Sequence, residues 1–142
     1  MHLGWKLLTA AGWLSIFLCG SCRIRTAYTV LIPEGYKGWV EIRFGIAGQP
    51  SLHREGGNFV IEVPKSGRLS TSAPLVAGYA NDKYYFVSES GGKTEIPVEI
   101  HGCNSGVCIS HILYVWQPVQ AADFFVGREA DLSKFPEPLP PQ

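Results

Sequence analysis

The sequence predicts an all-β fold, an antiparallel β-sandwich of about seven to nine short strands, and three observations carry that expectation. From Arg23 to about Trp116 apolar residues recur with a period of two, the spacing that puts alternate side chains on one face of a strand. The runs are short and separated by Gly, Pro, Asn and Ser, the residues that punctuate turns. Nothing in that stretch has the periodicity of a long amphipathic helix.

The first strand is TAYTVLIP, residues 26–33, with Tyr28, Val30 and Ile32 facing inward and Pro33 ending it. WVEIRF, residues 39–44, sends Val40, Ile42 and Phe44 inward and leaves Trp39, Glu41 and Arg43 outward. AGQPSLHREGG is too rich in turn formers for a strand and reads as a surface loop closed by a turn at Gly56 and Gly57. NFVIEVP then points Phe59, Ile61 and Val63 inward, and GRLSTS is a weaker strand. DKYYFVSES is a strong one, because aromatic bulk suits a half-buried pleated surface. TEIPVEI turns Ile96, Val98 and Ile100 inward, and Pro97, which has no N–H to donate, places it at a sheet edge. HILYVW, residues 111–116, is apolar on both faces and reads as a central strand, with DFFVG as a further candidate. READLSKF has about two turns of helical content, and PEPLPPQ is a proline tail expected to be extended and mobile.

At 142 residues the chain holds one ordinary domain. Its charge is balanced, 12 Lys+Arg against 12 Asp+Glu, and beyond residue 22 the balance is 11 against 12. No basic face is concentrated enough to displace phosphate counterions, which excludes a nucleic-acid partner.

Residues 1–22 combine an early Lys6, an apolar run from Leu7 to Leu18 and small residues after it, the anatomy of an export signal. The expected boundaries are therefore a signal at 1–22, a sandwich domain at 23–134 and a tail at 135–142. Leu18-Cys19-Gly20-Ser21-Cys22 resembles a bacterial lipoprotein cleavage box, in which Cys22 would be acylated, although Cys19 stands where Leu is usual. A plainly cleaved signal, an uncleaved anchor and a buried helix are the alternatives. Arg23 and Arg25 count against export, because positive charge just after the run resists translocation. The lipoprotein reading implies an extracytoplasmic, membrane-anchored protein of a bacterial envelope.

Under that reading Cys103 and Cys108 are the two cysteines left in the domain, and in an oxidising compartment they are expected to form a disulfide. His101, Cys103, Cys108 and His111 also supply two imidazoles and two thiols within eleven residues, the donors of a tetrahedral zinc site. Four residues between the cysteines is wider than a usual zinc knuckle, so a metal or redox site stands as the alternative, with free buried thiols a third reading. Serines are scattered outside any nucleophile elbow, and Glu41, Glu62, Glu95 and Glu99 lie on outer strand faces, where they keep a sheet soluble. No catalytic residue or cofactor is implied. Tyr36, Trp39, Tyr79, Tyr84 and Tyr85 cluster about glycine-rich turns, and Tyr36, Trp39, Tyr84 and Tyr85 are the candidate binding rings, set against the plainer reading that they pack beneath loops.

IPEGYKGWVEIRFG, FVIEVPKSGRLSTS, GYANDKYYF and FFVG together resemble a family of uncharacterised bacterial secreted or lipoprotein domains. Its members share an Ile-Pro-x-Gly-Tyr-x-Gly-Trp-Val opening, matched here by Ile32, Pro33, Gly35, Tyr36, Gly38, Trp39 and Val40, a Pro-x-Ser-Gly turn at Pro64 to Gly67, and a tyrosine-rich strand at Tyr84 and Tyr85. The resemblance runs from Tyr28 to Lys134 and implies an extracytoplasmic β domain but no activity. The Cys103–Cys108 pair departs from it. Two functions are thus in play: a non-catalytic envelope module that binds another envelope protein or a glycan, or a metal or redox protein built on the His/Cys cluster.

Overall fold

The computed structural model describes residues 23–104 and 106–141. The expected signal, with its acylation candidate Cys22, lies outside them. Nine strands and one 3-10 helix build two facing sheets: β1 Tyr28–Pro33, β2 Gly38–Phe44, β3 His53–Glu55, β4 Asn58–Glu62, β5 Arg68–Ser70, β6 Lys83–Val87, β7 Lys93–Ile96, β8 Cys108–Val115, β9 Gln120–Gly127 and the helix Glu129–Lys134. The first sheet runs β3-β4-β1-β6-β7 and the second β5-β2-β9-β8. Among the described residues no helix is long and apolar enough to cross a membrane.

The expected alternation sets the core. Tyr28, Val30 and Ile32 of β1 face Val40, Ile42 and Phe44 of β2, and Ile61, Val63, Tyr84, Ile96, Ile109, Phe124 and Val126 complete the cluster. Orientation departs from expectation: β1 runs parallel to both β4 and β6, and β2 runs parallel to β5, so the sheets are mixed rather than antiparallel throughout. The chain passes repeatedly between the layers, and a strand that returns from the opposite sheet arrives pointing the way the first one left. Side-chain alternation carries no record of that direction.

Three further departures matter for the site. HILYVW is not central: it forms the outer half of β8, an edge strand, while the modest DFFVG grows into the eight-residue β9 between β2 and β8. Val98 and Ile100, expected inward, are exposed, because the strand stops at Ile96 before Pro97. The loop of residues 47–57 holds a short strand, β3, which pairs with β4 across the anticipated Gly56-Gly57 turn.

Beyond Pro97 the chain crosses to the second sheet, where the Glu99 N–H donates to the Ile109 carbonyl and the Ile109 N–H donates to that of Pro97. The first half of β8 is thereby covered. At the turn before β5, Gly67 has φ +74°, and a Cβ there would run into the Tyr36 hydroxyl and come within 2.8 Å of the Trp39 carbonyl oxygen, so this turn fits no side chain.

Candidate functional site

The outer face of the second sheet carries a cleft. Trp39, Glu41 and Arg43 on β2 lie directly opposite Phe125, Asp123 and Ala121 on β9, and all of them face away from the core. After β9 the 3-10 helix folds the chain back across this face. The Phe135 ring then lies 5.8 Å from that of Phe125, and Trp39 meets Phe125 edge-on at 5.5 Å. The Trp39 indole N–H donates to the Phe135 carbonyl at 3.4 Å, so the C-terminal segment is held to the sheet by both rings and backbone.

A bulge in β8 supplies the opposite wall. The register with β9 slips between Ser110 and Leu113, and His111 sits there with φ 52°, the left-handed region that few side chains adopt. Its Nδ1 lies 2.9 Å from Ser110 Oγ, and its ring meets Trp39 edge-on at 6.3 Å. The result is a cleft of about 440 Å³ lined by Trp39, His111, Leu113, Asp123, Phe135 and Glu137. The expected tail is therefore partly a wall of the site. Asp123, which lines the cleft, accepts from Arg43 at 2.5 Å, and Arg43 also donates to Glu41 at 3.2 Å. Burial pushes the Asp123 carboxyl above its ordinary range, against the pull of the Arg43 guanidinium.

The four rings singled out in the sequence do not converge. Trp39 forms part of the cleft, and Tyr36 braces it from behind by donating its hydroxyl to the Trp39 carbonyl at 2.5 Å. Tyr84 is a correction: it is 5% exposed, stands edge-on to Phe124 at 5.3 Å and shares a hydrogen bond with Tyr114, so it belongs to the core. Tyr85 is on the other face of β6, beside Glu95 of β7, in the opposite sheet from Trp39.

Cys103 and Cys108 are joined by a disulfide, their Cα atoms 5.6 Å apart. This corrects the zinc reading, because the bond removes the two thiolates that His101 and His111 would need beside them. Both cysteines are also buried, which shields the bond from an attacking thiol. Sequence reasoning missed His111 as a wall of the cleft, and Asp123 and Phe135 altogether. The bulge has no local sequence signal, and Phe135 lay in a stretch read as tail.

Burial pushes the Tyr84 hydroxyl far above its ordinary value of 10.0, with Tyr114 and Asp82 adding to it, and the hydroxyls of Tyr28 and Tyr114 are raised for the same first reason. The unfolded chain ionises these tyrosines near their ordinary value, whereas the folded one holds the protons. Stability is therefore intact below about pH 10 and falls above it, by about 1.4 kcal/mol per pH unit for Tyr84 alone. In an alkaline titration the part of the tyrosinate absorbance that belongs to Tyr28, Tyr84 and Tyr114 should rise together with the loss of circular dichroism. A gradual rise from all the tyrosines, with the fold retained, would contradict it.

No curated protein matches the chain. Residues 25–120 match the model of a family described as being of unknown function, DUF6843. Among solved structures, a crystal structure described as a "Putative Lipoprotein from Bacillus anthracis" superposes with a TM-score of 0.58 at 23% identity, over 84% of this chain and 85% of that one, a likeness of fold.

Proposed function

The chain belongs to the DUF6843 family of unknown function, and from its geometry we propose that it is a non-catalytic extracytoplasmic module, anchored through Cys22, that binds an extended segment of another envelope protein along the outer half of β8. The single observation carrying this reading is the contrast among the sheet edges. β3 is three exposed, ionisable residues, His53, Arg54 and Glu55; β5 is three residues with Arg68 exposed; β7 has Lys93 and Glu95 outward and ends at Ile96, just before Pro97. Those are the usual defences of an edge. The outer half of β8 has neither charge nor proline: from Ile112 to Val115 it is uncharged, Leu113 is 53% exposed, and beyond the bulge at His111 no strand among the described residues pairs with its outer side.

An extended peptide laid there would gain a backbone ladder and could set a side chain into the neighbouring cleft between Trp39 and His111, the mode known as strand addition. The anchored, extracytoplasmic part of the reading is supported by the apolar run ahead of Cys22 and by the description of the Bacillus anthracis neighbour as a lipoprotein.

The test is a photo-crosslinking residue placed at position 113 and, as a control on a defended edge, at position 94, in cells producing the full chain. A protein adduct from 113 and none from 94, with slowed amide exchange over residues 112–115 in the adduct, is the expected result. A carbohydrate adduct, or equal yields from both positions, overturns the reading. The anchor is checked separately: Cys22→Ala should abolish acyl labelling, and undiminished labelling refutes it.

A further inference from the structure

We infer that the end of the sandwich where the described chain begins lies directly against the lipid surface, so that the domain is seated on the bilayer rather than held away from it by a linker. The inference rests on the anchored reading of Cys22.

The first residues are stitched to the domain. Ile24 bridges Tyr79; the Arg25 N–H donates to the Tyr79 carbonyl at 3.0 Å and the Tyr79 N–H to the Arg23 carbonyl at 2.9 Å. Gly78 lies so close to the Arg23 carbonyl that a Cβ would strike it. The described chain is therefore held to the domain from Arg23 onward. Ile24 follows Cys22 by two residues, and two residues of chain reach at most about 7 Å. A lipid on Cys22 would bring this end to the headgroups.

The side chains at this end suit such a surface. Ile24 is 84% exposed and Tyr79 73%, with Val76 beside them in the same loop. Trp116 is exposed in the turn between β8 and β9, and the Leu75 N–H, donating to Gln120 Oε1 at 3.0 Å, ties that turn to the loop bearing Val76. Aromatic and aliphatic side chains with exposed arginine, here Arg23, are the composition of a membrane interface. The opposite end, where β1, β4 and β6 finish, is instead a wide recess lined by Glu34, Glu62, Lys65, Ser88 and Glu89. The molecule thus has a greasy end at its anchor and a charged end away from it.

The test uses the full lipid-modified chain in vesicles of phosphatidylcholine and phosphatidylglycerol carrying shallow nitroxide lipids, with Trp5, Trp13 and Trp39 replaced by Phe so that Trp116 alone reports. Trp116 should be quenched. Ile24→Asp with Tyr79→Asp, both at exposed positions, should lower the quenching severalfold while the acyl chains keep the protein on the vesicles. Leu139→Asp, exposed in the C-terminal segment, should leave it unchanged. A vesicle-bound protein whose Trp116 is not quenched, or whose quenching ignores the double substitution, overturns the seating alone. A chain that carries no lipid and does not bind vesicles overturns both the seating and the anchor.

Discussion

Replacing Asp82 by alanine is expected to lower the unfolding free energy by about 3–5 kcal/mol, a large share of what a domain of this size possesses. Asp82 takes two hydrogen bonds from Arg25, at 2.9 and 2.5 Å, and a third from the Tyr28 N–H at 2.8 Å. The two side chains are only 8% and 12% exposed, and the guanidinium lies 4.7 Å above the Tyr28 ring. The alanine leaves that cation buried among aromatic rings with its partner gone, and the penalty is mainly that of an uncompensated charge. Removing both members is a different experiment. Arg25→Met combined with Asp82→Leu should recover part of the loss, since a close-packed apolar pair replaces two desolvated ions, while the Tyr28 N–H that Asp82 accepted stays unpaired. Denaturant midpoints for the single and double variants decide it. A single variant within about 0.5 kcal/mol of the parent, as for an ordinary surface substitution, would show that the pair is not buried as described.

Phe125→Ala is the second large effect, again about 3–5 kcal/mol, because the ring is fully buried and its removal opens a cavity the neighbours cannot close. This phenylalanine is unusual in lying outside the main core. It is the platform on which Trp39 and Phe135 rest, so the loss should also loosen the C-terminal segment and spoil the cleft. Faster amide exchange over residues 129–138 and a shift in Trp39 fluorescence are the measurements. Phe135→Ala separates the two consequences: that ring is only partly buried, so stability should fall less while the cleft signals change as much. Should Phe125→Ala destabilise the protein and leave residues 129–138 protected, the segment must be held by something other than that ring.

The layers of this protein were legible in its sequence because burial on one face of a strand leaves a period-two trace, as at Tyr28, Val30 and Ile32 or at Val40, Ile42 and Phe44. Pro97 likewise announced its edge, and Gly56-Gly57 its turn. Sheet order left no such trace. HILYVW looked central because it is apolar on both faces, a pattern that a twice-buried strand and an undefended edge share, and only the neighbours distinguish them. In β9 the reverse happened: Asp123 broke the apolar run, yet it is buried because Arg43 reaches across from β2 to meet it, a pairing of residues 80 apart. The cleft depended on such distant partners throughout. Trp39 could be picked out by its lack of an assignable role, but Tyr84 could not be told from Tyr85, since neighbours on one strand face opposite ways and the sequence alone did not say which way was in.

β9 is the last strand among the described residues and the one between β2 and β8, with β2 joined to it over the whole length from Gly38 to Phe44. Synthesis delivers the partners in the least convenient order. β1, β4 and β6 can assemble as they emerge, and β2 can face β1 and meet β5, but the β2 edge that takes β9 must wait until some eighty further residues have left the ribosome. The second layer therefore stays incomplete until β9 arrives. It closes in a single late event, and a nascent chain still short of β9 remains a half-built molecule, open enough to be threaded elsewhere before it folds.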